Sequence, residues 1–124
     1  MAKRILVVED NDLNRKLFCD VLRANGYVVE PVADGEGAIP AAKNFIPNLV
    51  IMDIQLPHVS GLDVIAAMKR DATLAHVPVL AVTAYAGKGD EERIRDAGAQ
   101  GYLAKPVSIQ PFMAAVRKLL GEAA

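Results

Sequence analysis

A single cysteine, Cys19, has no second thiol to pair with among the 124 residues, which excludes an internal disulfide framework and fits a reducing compartment. Neither charge sign is in excess: 14 Lys and Arg stand against 15 Asp and Glu, for a net charge of −1, and no basic block occurs. Nucleic-acid binding by the chain alone is therefore not expected. The longest apolar runs fall far short of the ~20 residues that span a membrane, so membrane insertion is not expected either. Met1-Ala2-Lys3-Arg4 passes straight into a strand pattern without a signal-peptide core, and a cytoplasmic location is the expectation. Linkers, low-complexity stretches and repeats are missing too. What remains is one domain of ordinary soluble composition, 52% hydrophobic and 23% charged.

Apolar runs and amphipathic stretches alternate five times, the pattern of an α/β domain with a parallel sheet. Strands are predicted at about Arg4–Glu9, Tyr27–Val32, Leu49–Asp53, Val77–Val82 and Gly101–Ala104. The first helix, capped by Asn11 or Asp12, carries Leu13, Leu17, Phe18, Val21 and Leu22 and stops at Gly26. Cys19 reads as a small residue within it. A second helix reaches about Asn44 with Asp34 as a candidate cap. Pro40 inside it predicts a late start or a kink, because proline in a helix interior costs about 3 kcal/mol. Ser60-Gly61-Leu62-Asp63 has the form of a capping box for a third helix ending near Lys69-Arg70. Asp90-Glu91-Glu92 opens the fourth helix, Gly98 closes it, and Ser108 caps a last one bearing Phe112, Val116, Leu119 and Leu120. A strand-first βα alternation of this size suggests a doubly wound sheet, order 2-1-3-4-5, with right-handed crossovers.

Two of the buried-strand patterns end in acid. Ile5-Leu6-Val7-Val8 runs into Glu9-Asp10, and Leu49-Val50-Ile51-Met52 into Asp53. Thr83 and Lys105 follow the fourth and fifth strands. Functional groups in open α/β sheets collect at the carboxyl ends of strands, so these five residues are expected at one edge. Asp53 is then a candidate nucleophile toward phosphorus. Asp10 and Asp53, with Glu9 directly or through water, suit Mg²⁺, which takes oxygen ligands and offsets phosphoryl charge. Lys105 suits a phosphate oxygen as a point charge, and the Thr83 hydroxyl suits another. Each residue alone has a plainer reading: Glu9-Asp10 as helix caps, Thr83 as a β-branched strand residue, Lys105 as a solvated lysine. The joint pattern carries the argument. His58 and His76, in or near loops without partners at metal-ligand spacing, read as surface residues.

Over its full length the chain resembles the receiver domain of bacterial two-component response regulators. The resemblance rests on Ile5-Leu6-Val7-Val8-Glu9-Asp10, on Val50-Ile51-Met52-Asp53-Ile54-Gln55-Leu56-Pro57 with Ser60-Gly61, on Ala81-Val82-Thr83-Ala84, and on Gly101-Tyr102-Leu103-Ala104-Lys105-Pro106. It implies a CheY-like, flavodoxin-like (βα)5 fold with Asp53 as phosphoacceptor. Mg²⁺, replaceable by Mn²⁺, would be held by Asp10, Asp53 and the Gln55 backbone carbonyl, with Glu9 helping. Thr83 and Lys105 would read the phosphate, and Lys105-Pro106 would be a cis bond. Glu9 stands where many receivers have Asp, so the metal contact should shift slightly. More narrowly, Glu9-Asp10-Asn11-Asp12-Leu13-Asn14, Met52 to Pro57, Lys88 to Arg95 and Lys105-Pro106-Val107-Ser108 are similar to stand-alone receivers of the DivK type, which act in bacterial cell-division and polarity signalling.

The resemblance implies no output domain, so output is expected as a change in partner binding. Thr83 and Tyr102 would be the switch pair, and Arg93, Arg95, Tyr102 and Gln110 are candidates for the exposed surface that changes. Asn14 and Leu17 would meet a kinase bundle, although Leu17 is equally a core candidate. The implied partners are a sensor histidine kinase or histidine phosphotransfer protein and a downstream signalling protein, with the chain a monomer or weak dimer. Gln55 and Tyr85 sit where the family tunes acyl-phosphate lifetime. A phosphorelay shuttle or phosphate sink keeps the same fold and differs in that lifetime. A free-standing Mg²⁺-dependent phosphatase is disfavoured because Gln55 stands where such enzymes want a second acid. A flavin module is disfavoured because Asp10-Asn11-Asp12-Leu13 lacks the Gly, Ser and Thr donors of a phosphate cradle. The expected activity is limited to assisting the chain's own phosphorylation and dephosphorylation.

Overall fold

A computed structural model describes residues 2–84 and 87–122. Strands β1 (Arg4–Val8), β2 (Val28–Val32), β3 (Leu49–Asp53), β4 (Val79–Thr83) and β5 (Gly101–Ala104) alternate with helices α1 (Asp12–Ala24), α2 (Ala38–Phe45), α3 (Gly61–Arg70), α4 (Lys88–Ala97) and α5 (Ile109–Leu119). The sheet is parallel throughout, in the order β2-β1-β3-β4-β5. This is the doubly wound arrangement expected from the alternation. No helix among the described residues is long and apolar enough to cross a membrane.

Both faces of the sheet are covered, which is why β3 and β4 are buried at every position and read as unbroken apolar runs. Along each strand the side chains alternate. Leu6, Val8, Val50, Met52, Val79 and Ala81 pack toward α2, α3 and α4, against Ala42, Val64, Ile65, Met68 and Ile94. Ile5, Val7, Leu49, Ile51, Leu80 and Val82 pack the other way, against Phe18 and Leu22 of α1 and Phe112, Met113 and Val116 of α5. Phe18 and Phe112 stack with ring centroids 5.0 Å apart, closing that layer between the two helices. Pro31 lies in β2, an edge strand paired only with β1, where a missing N–H is tolerated.

Several local expectations are corrected. In α1 the buried residues are Phe18, Cys19 and Leu22, whereas Leu13 is 76% exposed and Leu17 43%. Five residues at 100° apiece turn Leu13 roughly 140° away from Phe18, so an apolar residue there cannot share the core stripe. Cys19 packs in the core as a small helix residue, and burial pushes its thiol up. Asp34 does not cap α2. Its carboxylate accepts from the Gly37 N–H at 2.7 Å and closes the preceding turn, and the helix starts at Ala38. Pro40 is thereby the third helical residue, where its absent N–H has no partner to lose, so the late start is what accommodates it. Strand β2 begins one residue later than expected and β4 two, while α4 starts two residues before Asp90. Asn11 caps α1, accepting from Asn14 N–H at 2.9 Å, and Ser60 caps α3, but Ser108 at the α5 N-cap makes no side-chain cap bond.

Candidate functional site

Strand register builds the site. Val8 lies opposite Met52, Asp53 opposite Val82, and Thr83 opposite Ala104. Glu9, Asp53, Thr83 and Lys105 are thus delivered to one edge by four neighbouring strands. Three of them are buried, Glu9, Asp53 and Thr83 each at 1% exposure, while Asp10 faces solvent. Lys105 Nζ bridges two acids, 2.9 Å from Glu9 Oε1 and 3.3 Å from Asp53 Oδ2. The other Asp53 oxygen, Oδ1, accepts from the Gln55 N–H at 3.0 Å, and Glu9 Oε2 accepts from the Asn11 N–H at 3.2 Å. The Lys105–Pro106 bond is cis.

One cation is set against three carboxylates, and the electrostatics follow. Burial first, then the hydrogen bond and charge of Glu9, push the Asp53 carboxyl up to about 7, against the pull of Lys105 and the Gln55 N–H. Burial alone would lower Lys105, but the hydrogen bond to Glu9 and the charges of Asp53 and Glu9 outweigh it and hold the ammonium above its ordinary value. One carboxylate oxygen from each of Glu9, Asp10 and Asp53 lies within 4.8 Å of the other two. Such a hard, crowded and largely buried oxygen set fits a divalent cation such as Mg²⁺.

Two features of the site had no sequence signal. Arg15, one turn into α1, donates to the Glu9 carbonyl at 2.9 Å and pairs with Asp12 at 2.6 Å, pinning the acidic loop from behind. The Gln55 side chain reaches β4, donating to Thr83 Oγ1 at 2.5 Å and accepting from the Ala84 N–H at 2.9 Å. Gln55 had been expected to matter through its backbone carbonyl and at a position where the family tunes acyl-phosphate lifetime, but not through these bonds to Thr83 and Ala84.

Gly61 fixes the approach of α3 to Asp53. A Cβ there would meet the Asp53 carbonyl oxygen and come within 2.8 Å of the Ile54 Cα, both backbone atoms that cannot swing aside. Gly61→Ala should therefore cost about 2–4 kcal/mol in chemical denaturation. An unchanged midpoint would contradict this reading of the contact.

The remaining candidates are less concentrated. Arg93, Arg95 and Gln110 are exposed as expected, with Arg95 paired to Glu91 at 3.0 Å and Arg93 to Asp90 at 3.5 Å. Tyr102 is corrected: it is partly buried against the α3–α4 layer, and its hydroxyl is enclosed without a hydrogen-bond partner among the described residues. It belongs to the inner wall of that surface because β5 alternation points it at α4. Asn14 and Leu17 line a cleft of about 380 Å³ with Phe18, Lys105, Pro106 and Val107. Both histidines are exposed. Tyr85 lies outside the described residues.

Known proteins resemble this chain along nearly its whole length. The family model for the response regulator receiver domain matches residues 5–117. The polar-differentiation response regulator DivK of Brucella ovis is 48% identical over 99% of this chain and 100% of its own length, as is that of Brucella anthropi. Among solved structures, the receiver domain of sensor histidine kinase PA1611 from Pseudomonas aeruginosa, with a magnesium ion coordinated in its active-site cleft, is 33% identical with a TM-score of 0.90, covering 98% of this chain and 100% of that one. A CheY-like receiver domain protein from Methanospirillum hungatei superposes with a TM-score of 0.90 at 26% identity, over 98% and 95% of the two chains. With the family model running along nearly its whole length and close to half its residues shared with DivK, this chain belongs to the response regulator receiver domain family.

Proposed function

We propose that this receiver domain takes a phosphoryl group from a phosphohistidine donor onto Asp53 and thereby changes which proteins it binds. Phosphoryl acceptance is general for the family. The observation that carries the assignment to Asp53 is its setting: a buried carboxylate at the β3 end, oriented by the Gln55 N–H and facing Lys105, with two further acids in ligand range.

In the proposed step an Asp53 oxygen attacks phosphorus. A P–O bond to Asp53 forms as the P–N bond to the donor histidine breaks, and the electron pair leaves with the imidazole. The Gln55 N–H holds Oδ1 and so aims the carboxylate, while Lys105 offers its ammonium to a phosphoryl oxygen. Glu9, Asp10, Asp53 and the Gln55 carbonyl would hold Mg²⁺, which when bound supplies positive charge against the carboxylates and the incoming phosphoryl group. Glu9 keeps Lys105 beside Asp53 through its 2.9 Å contact, a task its extra methylene suits.

Docking of the donor is assigned to Asn14 and Leu17, which flank the cleft that opens beside Lys105. Arg93, Arg95, Tyr102 and Gln110 are assigned to the surface that reads the modification, through Thr83 and Tyr102. The donor is a sensor histidine kinase or histidine phosphotransfer protein, the setting is the cytoplasm, and the output is a cell-division signalling contact, beside the polar differentiation that the DivK relatives' name denotes. The chain acts on its own phosphorylation state and not on a released substrate. Incubation with acetyl phosphate and Mg²⁺ should add one phosphoryl group by intact mass, and chelation by EDTA should reduce the yield at least ten-fold. Equal labelling with and without metal would refute the metal assignment, and no labelling would refute the function.

A further inference from the structure

Gln55 uses both ends of its side-chain amide on the start of the β4–α4 connection. Oε1 accepts from the Ala84 N–H and Nε2 donates to Thr83 Oγ1. A backbone N–H only donates, so Ala84 determines which end of the amide faces it, and the Thr83 oxygen is left as the acceptor. The β3–α3 and β4–α4 connections are therefore tied through one flexible side chain. The tie lies on a particular side of the sheet. Along β4, Thr83 shares the α3/α4 side with Val79 and Ala81, whereas Asp53 alternates with Leu49 and Ile51 toward α1 and α5. A Thr83 hydroxyl that turns to a phosphoryl group on Asp53 leaves the Gln55 amide behind. Space for the rearrangement exists, because Gln55 and Thr83 both line a cleft of about 220 Å³ with Ile54, Leu62, Asp90 and Ile94.

We propose that the Gln55 side chain is a latch that holds Thr83 and Ala84 in the resting arrangement, so that phosphorylation must break two hydrogen bonds before the α4 side of the molecule responds. The inference deepens the assignment of Asp53 as acceptor and rests on it. Gln55 is a positioning residue in this account, and its effect exists before any acyl phosphate forms, which separates it from an influence on the lifetime of that bond.

The test uses the ¹⁵N-labelled full chain. Amide resonances of Thr83 and Ala84 in the wild-type protein, before and after modification with acetyl phosphate and Mg²⁺, define the two ends of the switch. In unmodified Gln55→Met, which keeps the side chain's length and removes both bonds, these resonances should move toward the phosphorylated end, and Ala84 hydrogen exchange should quicken. Losing two ordinary hydrogen bonds corresponds to a rise in the switched population on the order of ten-fold. Gln55→Asn, too short to span both partners, should move the same resonances in the same direction and serves where the Met variant folds poorly. A wild-type spectrum in both variants, or faster Ala84 exchange with Thr83 unmoved, overturns the latch. If the wild-type protein takes up no phosphoryl group, the acceptor assignment fails and the latch fails with it. If it does and the variants stay at the resting position, the latch alone fails.

Discussion

Asp53→Asn protein, held with Mg²⁺ and acetyl phosphate, is expected to gain no phosphoryl group on the time scale in which the wild-type protein is fully labelled, a loss of at least about a hundred-fold in rate. An amide is no nucleophile toward phosphorus at neutral pH, so the prediction turns on whether a neighbouring acid substitutes. Glu9 is buried, with one oxygen against Lys105 and the other accepting the Asn11 N–H, and in this account it steadies Lys105 and helps hold the metal rather than attacking phosphorus. Asp10 is exposed and lies in ligand range, but the described bonds of Lys105 run to Glu9 and Asp53 and not to it. Residual labelling at near wild-type rate would mean that the edge of the sheet, and not one carboxylate, accepts the group.

Stability should move in opposite directions for Asp53→Asn and Lys105→Met in the metal-free protein. Asp53 is an acid whose folded value is raised from 3.8 to about 7. Below the unfolded value both states hold the proton and nothing is lost. Between about pH 4 and 7 the unfolded chain releases its proton while the folded chain keeps it, so stability falls as pH rises. Above 7 the full penalty stands, on the order of a few kcal/mol. Asp53→Asn removes that penalty and should raise the urea midpoint at pH 8 with little effect at pH 4. Lys105→Met removes the cation that contacts both buried acids and should cost about 2–4 kcal/mol at pH 8, because an unpaired buried charge is more expensive than the pair. The deficit should shrink as Asp53 takes up its proton toward pH 4. Wild-type stability that is flat between pH 4 and 7, with both variants shifted in the same sense, would mean that the site carries no electrostatic strain.

The residues that declared themselves in sequence are those whose chemistry contradicts their local surroundings. Asp53 ends a run that β3 buries completely, and Glu9 does the same for β1, so the break itself marks where each strand emerges. Pro40 and Ser60 carried their own geometric consequences, and the structure honours both. Leu13 misled because hydrophobicity marks what a residue tolerates while its 100° step decides where it points. Arg15 gave no sign at all, and Gln55 was marked for its backbone carbonyl and for acyl-phosphate lifetime but not for its side-chain bonds. Their partners depend on how a strand end meets a loop or a neighbouring strand in space, a separation of 28 residues in the case of Gln55 and Thr83, and no local pattern encodes that meeting. Tyr102 was visible as a strand aromatic, but whether its hydroxyl faced water or the α4 layer was decided by packing.

The most direct measurement is the position of the label. Borohydride reduces an acyl phosphate to an alcohol and converts the modified aspartate to homoserine, which peptide mass spectrometry locates. After treatment with acetyl phosphate and Mg²⁺, homoserine is predicted at position 53 alone. Homoserine at position 10, or a phosphoryl group that survives borohydride on a histidine or a serine, would contradict the account.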